Sequence, residues 1–163
     1  MTQFVGTHQN RLDAKGRVSV PAAFRAALRQ QAGGNGEAGA ALILRPSHQH
    51  PCIEAWPAAE FDELATLLEQ RELFSEAHDD LAATLYADAY PVESDREGRI
   101  VLPESLALHA GLSERVVFMG LGRTFQIWEP QAAERYRAQA RERARAHALT
   151  LPGRMARVLG AGG

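Results

Sequence analysis

A ten-residue pattern occurs twice in this 163-residue chain, and a repeat of that kind demands a fold in which two similar halves coexist. Leu12-Asp13-Ala14-Lys15-Gly16-Arg17-Val18-Ser19-Val20-Pro21 and Ser94-Asp95-Arg96-Glu97-Gly98-Arg99-Ile100-Val101-Leu102-Pro103 share Asp, Gly, Arg and Pro at a constant offset of 82. Downstream, Cys52-Ile53-Glu54-Ala55-Trp56-Pro57 parallels Thr124-Phe125-Gln126-Ile127-Trp128-Glu129-Pro130 at an offset of 72 on the tryptophans. The difference requires an insertion in the first copy. The Gly-rich, polar stretch from Gln31 to Gly39 is the candidate, read as a flexible loop tip. It lacks the Lys-Ser/Thr that closes a phosphate-binding loop.

Each copy reads strand, Asp-x-x-Gly turn, Arg, strand, Pro, short helix, strand, Trp-bearing strand, Pro, longer helix. Asp at the first and Gly at the fourth turn position suit a type I turn, with Gly supplying the positive φ that lets a short hairpin twist correctly. Val18-Ser19-Val20 and Ile100-Val101-Leu102 are strand-like flanks. Pro21 and Pro103 end them and suit a first helical turn; Phe24 and Leu28 then form an apolar stripe in copy one, with Leu106 as the parallel in copy two. After the tryptophans, Phe61, Leu64 and Leu68 mark one helix and Ala133, Tyr136 and Ala140 a weaker one. Residues 71–86, with Leu81, Leu85 and Tyr86, read as a further helix joining the copies. The expected division is therefore 5–57 for the first repeat, 58–86 for connecting helices, 87–130 for the second repeat, and 131–163 for a C-terminal helix with a flexible tail, Gly160 to Gly163 being disordered.

A hydrophobic content of 45% is enough for a packed core, and Cys52, the single cysteine, excludes an internal disulfide and suits a reducing compartment. No basic segment followed by an apolar run opens the chain, and no apolar run is long enough to cross a bilayer, so a cytoplasmic protein without membrane contact is expected. The net charge of -2 hides an uneven distribution. Arg11, Lys15, Arg17, Arg25 and Arg29 face only Asp13 in the first 29 residues, residues 54–95 are strongly acidic, and residues 135–157 are rich in arginine. Such asymmetry lets an acidic chain present a locally basic face, although basic and acidic helix faces are often merely solvated.

Asp13-x-x-x-Arg17 and Asp95-x-x-x-Arg99, each followed by a strand and Pro, together with the opening Asn10-Arg11-Leu12-Asp13-x-Lys15-Gly16-Arg17 and the two tryptophan segments, resemble the MraZ family from Phe4 to about Tyr136. The resemblance implies an α+β fold of the AbrB/SpoVT-like swapped-hairpin superfamily. That fold has two AbrB-like swapped-hairpin β-barrel halves, a double-split β-barrel with a pseudo-two-fold repeat, and flanking helices. It also implies a DNA-binding transcription regulator, a repressor of its own division and cell-wall gene cluster that reads tandem G-containing direct repeats in its promoter region. The implied state is a nucleoid-associated, ring-shaped homo-oligomer without a cofactor.

A Gly-turned hairpin is narrow enough to enter the major groove of double-stranded DNA, and arginine can donate two parallel bonds to guanine O6 and N7. Arg17 and Arg99 are the expected base contacts. Lys15, the only lysine, lies at a turn tip where a phosphate contact is natural; its counterpart is Glu97, with Arg96 beside it, so the two copies should bind unequally. Arg11 adds charge next to the first turn. Asp13 and Asp95, with Gly16 and Gly98, are expected to shape the turns and orient the arginines. The bland alternative is an exposed ion pair closing each hairpin, contributing roughly 0 to 1 kcal/mol.

Other signals carry less. His48-Gln49-His50-Pro51-Cys52 gathers metal-capable side chains but lacks a fourth ligand, so no metal is expected and Cys52 reads as a small buried residue. Trp56 and Trp128 precede helix-opening prolines, which favours core packing over base stacking. Gly120-Leu121-Gly122 lacks a third glycine at dinucleotide spacing and reads as a hairpin turn. No nucleophile elbow, metal motif or cofactor loop supports catalysis. Two rivals remain: an antitoxin-like DNA-binding module, disfavoured by the basic C-terminal segment and the doubled hairpin, and a ring-forming structural or interaction protein acting through its acidic helices.

Overall fold

The computed structural model describes residues 3–32, 41–70 and 76–148. In chain order they form β1 (Thr7–Arg11), β2 (Arg17–Ser19), α1 (Ala22–Gln31), β3 (Ala41–Pro46), β4 (Ile53–Pro57), α2 (Ala58–Glu69) and α3 (Glu76–Ala82). A π-helical turn, Ala83–Ala87, follows. The second copy supplies β5 (Tyr90–Glu93), β6 (Arg99–Val101), α4 (Glu104–His109), β7 (Arg115–Gly120), β8 (Phe125–Trp128) and α5 (Pro130–Ala146). The protein is α+β, with a six-stranded sheet in the order β1-β7-β8-β4-β3-β5 and a two-stranded ribbon of β2 and β6, all antiparallel. Met1–Pro130 is one compact unit, containing every strand of the described residues; Gln131–Gly163 is another. No helix among the described residues is long and apolar enough to cross a membrane.

The copies do not form separate sheets. The first strand of each pairs with the third strand of the other, β1 with β7 and β5 with β3. At the centre β4 pairs with β8, and there Glu54 stands opposite Gln126, its own repeat counterpart. In the ribbon Val18 stands opposite its counterpart Ile100. An antiparallel pair in which equivalent residues face each other is related by a two-fold rotation, so both points lie on one approximate axis. The ribbon's ends obey the same symmetry: Val20 N donates to Gly98 O at 2.9 Å and Leu102 N to Gly16 O at 2.8 Å. Each Gly-containing turn is thereby tied to the strand end of the opposite copy.

Period-two alternation sets what the ribbon buries. Val18 and Ile100 are each 1% exposed, whereas Arg17, Ser19, Arg99 and Val101 line the outer face. Inside, Phe4, Phe24, Phe118 and Phe125 form an aromatic cluster with ring centroids 5.0–6.4 Å apart, drawing on both copies. Leu12, Leu28, Leu42, Leu44, Ile53, Leu106 and Ile127 complete the same core.

The tryptophan N–H groups near the axis are satisfied in parallel. Trp56 Nε1 donates to Glu54 Oε1 at 3.1 Å, and Trp128 Nε1 donates to Gln126 Oε1 at 2.8 Å. Copy one adds a buried cation, Arg45, which donates to Glu54 at 2.6 Å and to the Thr84 carbonyl at 2.9 Å. The second bond fastens the π-helical turn to β3, and Phe61, stacked edge-on between Trp56 and Tyr86, fastens it again. Where copy two has the amide Gln126, the position matching Arg45 is Met119, so charge and counter-charge are both absent.

Several sequence expectations need adjustment. Pro21, Pro57 and Pro103 occupy the N-cap, one position before the helix, with φ near -54° and ψ near 141°; only Pro130 lies inside its helix. The helix expected over 71–86 is α3 followed by the π-helical turn, with 71–75 outside the described residues. The Gly-rich loop tip lies mostly in 33–40, and Gly160 to Gly163 in the tail; both are outside them too. Register divides the insertion: Leu42 opposite Val92 matches Val116 opposite Asn10, an offset of 74 for β3 and β7. Two of the extra residues therefore sit in the β3–β4 connection, Ser47 to Cys52, where copy two turns over Leu121 to Thr124.

Burial on the axis makes a direct test. Ile100→Ala should cost about 2–5 kcal/mol in urea denaturation, whereas Val101→Ala, at a position 56% exposed, should change stability by about 0.5 kcal/mol or less.

Candidate nucleic-acid interface

The two Asp-x-x-Gly-Arg segments fold into the same turn. In the first, Gly16 N donates to Asp13 O at 3.0 Å and Asp13 N to Arg17 O at 3.0 Å. Asp13 Oδ1 accepts from Lys15 N at 2.9 Å and Arg17 N at 2.8 Å, while Oδ2 accepts from Arg17 Nε at 2.7 Å. The second repeats this bond for bond, with Asp95 Oδ1 accepting from Glu97 N and Arg99 N and Oδ2 from Arg99 Nε, each at 2.9 Å. Gly16 and Gly98 have φ of +80° and +79°, a region that L side chains rarely adopt. One carboxylate thus closes each turn with one oxygen and aims an arginine with the other.

Those bonds favour the ionised carboxylate. The Arg17 backbone N–H is the main cause holding Asp13 below the ordinary 3.8; desolvation opposes it, and the Arg17 side chain and the Lys15 N–H add to the lowering. Asp95 is lowered in the same way, first by the Arg99 backbone N–H. Arg99 is raised, chiefly by its side-chain bond to Asp95, with Asp95, Glu97 and Asp13 adding their fields.

Arg17 and Arg99 emerge on the same outer face of the ribbon, Arg17 opposite Val101 and Arg99 opposite Ser19. They are diagonal cross-strand neighbours, a relation that sets the two residues about 7–8 Å apart. Each is about one-third exposed. With Nε engaged by aspartate, the terminal nitrogens remain, and among the described residues those of Arg17 have no partner. Arg99 differs: one terminal nitrogen lies 3.0 Å from Glu97 Oε2, a carboxylate for which turn one has Lys15 instead.

The other expected residues fall around this face. Lys15 and Arg96 are exposed at the tips of their turns, and Arg11 is exposed at the end of β1. Two further arginines escape sequence reasoning. Arg115 on β7 stands directly across from Arg11, a like-charge pair that serves no stabilising purpose. Arg25, on α1 of the first copy, reaches the second turn, its Nη1 lying 3.5 Å from Glu97 O. No local pattern marks either, because each relation spans the two copies.

The histidine-cysteine segment is a compact connection in which Ser47 Oγ accepts from Gln49 N and His50 N. Cys52 is fully buried, and burial first, then the charge of Glu54, pushes its thiol up to about 12. Trp128 is buried at 2% exposure, and Gly122, with φ of +87°, lies in the β7–β8 hairpin.

Residues 3–83 and 85–154 match the family model described as "MraZ protein, putative antitoxin-like". The chain is 66% identical over 155 residues to a protein of Gluconacetobacter diazotrophicus named "Transcriptional regulator MraZ", covering 94% of this chain and 96% of that protein. A protein of the same name from Gluconobacter oxydans is 63% identical, covering 89% and 87%. One from Xanthobacter autotrophicus is 41% identical, covering 89% and 88%.

The lowered aspartates fix the sign of an acid response. Their folded values lie below the unfolded 3.8, so the turns contribute their full stability above that pH and lose it as pH falls through the lowered values. Urea denaturation across the acid range should show the native protein losing stability more steeply than an Asp13→Asn, Asp95→Asn variant, whose amides do not titrate. Parallel curves would mean that the carboxylates carry no such load.

Proposed function

The chain belongs to the MraZ family, and from that premise we propose that it is a DNA-binding transcription regulator reading double-stranded DNA through the β2–β6 ribbon. The observation that carries this reading is the shared outward face of Arg17 and Arg99. Each guanidinium is held at Nε by its own aspartate, which leaves both terminal nitrogens of Arg17 for an acceptor and, with Glu97 on one of the pair, a single terminal nitrogen of Arg99. A two-stranded ribbon fits the major groove, where guanine presents O6 and N7 to a pair of arginine nitrogens. Diagonal neighbours about 7–8 Å apart match roughly two base-pair steps of about 3.4 Å. Lys15, Arg96 and Arg11 flank the arginines and suit phosphates. Asp13, Gly16, Asp95 and Gly98 keep the geometry in place before binding, so little ordering is required at the moment of contact.

The exchange of first strands between copies supports the finer fold reading, an AbrB-like swapped-hairpin, double-split β-barrel completed within one chain. One ribbon offers few contacts, and salt readily abolishes binding of that size. Ring-shaped homo-oligomers would place several ribbons along tandem G-containing direct repeats and raise affinity through effective concentration. On this reading the target is the chain's own promoter region, the outcome is repression of its division and cell-wall cluster, and the protein is cytoplasmic and nucleoid-associated, not an enzyme.

Fluorescence anisotropy with labelled upstream DNA tests the core of it. The native duplex should bind far more tightly than a shuffled one, and Arg17→Ala should weaken binding by roughly tenfold or more, in line with about 1–3 kcal/mol for a bidentate base contact. The Arg17→Ala, Arg99→Ala variant should keep its fold and lose the preference. Equal binding to all duplexes would make the turns structural and favour the ring scaffold acting through protein contacts.

A further inference from the structure

We propose that Arg25 is a positioning residue of the second turn: an arginine from copy one that keeps copy two's ribbon end able to engage a DNA polyanion. This rests on the reading of the ribbon as the DNA-contacting surface.

The two turns share their bonds but not their charge. Asp13, Lys15 and Arg17 leave the first with one net positive charge, whereas Asp95, Arg96, Glu97 and Arg99 leave the second with none. Glu97 also occupies one terminal nitrogen of Arg99 at 3.0 Å, a nitrogen that an incoming acceptor must take over. Upstream, Glu93 stands where copy one has Arg11, which worsens the imbalance. Copy two alone would present a poor site for an anion.

Arg25 corrects this from the opposite copy. Its side chain lies across the α-carbon of Gly98, so close that a Cβ there would sit 2.5 Å from Arg25 Cδ and 2.9 Å from Cζ. Its Nη1 is 3.5 Å from the Glu97 carbonyl oxygen. The guanidinium thus restores one net positive charge to the second turn and backs the peptide that carries Glu97. Nothing reciprocal occurs at the first turn: the position equivalent to Arg25 is Ala107, and a Cβ on Gly16 would meet no arginine but the Leu102 carbonyl oxygen, at 3.2 Å. Arg25 Nε is, moreover, buried and unpartnered among the described residues. An arginine kept in place at the expense of an unmet donor is hard to explain by packing alone, since an apolar side chain would cover Gly98 without that penalty.

The test is whether Arg25 acts through turn two only. Arg25→Gln preserves the stem and a donor while removing the charge; Arg25→Lys keeps the charge and loses the planar group. Both would be assayed in the full chain by anisotropy on the upstream duplex, alone and within Arg17→Ala and Arg99→Ala backgrounds, with melting temperatures measured alongside. Arg25→Gln should weaken binding about tenfold in the Arg17→Ala background, where turn two alone reads, and leave it unchanged in the Arg99→Ala background, with Arg25→Lys recovering part of the loss. A purely structural arginine would lower the melting temperature and weaken both backgrounds equally, and that result, or no effect in either, overturns the proposal. Undiminished binding by the Arg17→Ala, Arg99→Ala variant would instead overturn the proposed function, and this inference with it.

Discussion

Val18 lies opposite Ile100, its own counterpart in the repeat, and the register of the whole inter-copy arrangement follows from that pairing together with Glu54 opposite Gln126. Both pairs sit on the approximate two-fold axis. Sliding β2 against β6 by one residue would turn Val18 outward and bring Arg17 into the core, so the hydrophobic effect locks the ribbon against slippage. The same constraint puts both arginines on the solvent face. Core packing and the candidate reading surface are thus two sides of one three-residue ladder.

The aspartates convert that placement into direction. A free arginine side chain is rich in rotamers and would lose that freedom on binding; one whose Nε is already held by a carboxylate has less to lose. Because the same carboxylate also accepts the turn's backbone N–H groups, the orientation of the arginine and the shape of the hairpin cannot vary independently.

Symmetry in the backbone coexists with divergence in the side chains. Half-buried Glu54 pairs with buried Arg45 where Gln126 accompanies Met119, and each choice satisfies its tryptophan without leaving a buried charge unpaired. At the turns, Glu97 replaces Lys15 and Arg25 has no counterpart. Copy one therefore carries the burden of tethering the inter-copy helix through Thr84 and of lending charge to copy two, while copy two keeps the shorter connections.

How much of this was legible depends on the range of the interaction. Asp13 to Arg17 and Asp95 to Arg99 enclose every atom their turns need within five residues, so the turn, its glycine and the arginine can be read directly, and two copies of the pattern distinguish it from chance. Prolines before helices and the alternation around Val18 and Ile100 are equally local, missed only by one position at the caps. The exchange of β1 and β5, the division of the insertion between two connections, the anchoring by Arg45 and the reach of Arg25 to Gly98 lie beyond such reading. Each depends on which distant strand edge or backbone carbonyl a side chain meets, and that is decided by packing two similar halves around one core. The sequence by itself determined the turns and what they carry; only the tertiary structure decided which copy supports which, because a local motif specifies its own hydrogen bonds but not the neighbour against which it is buried.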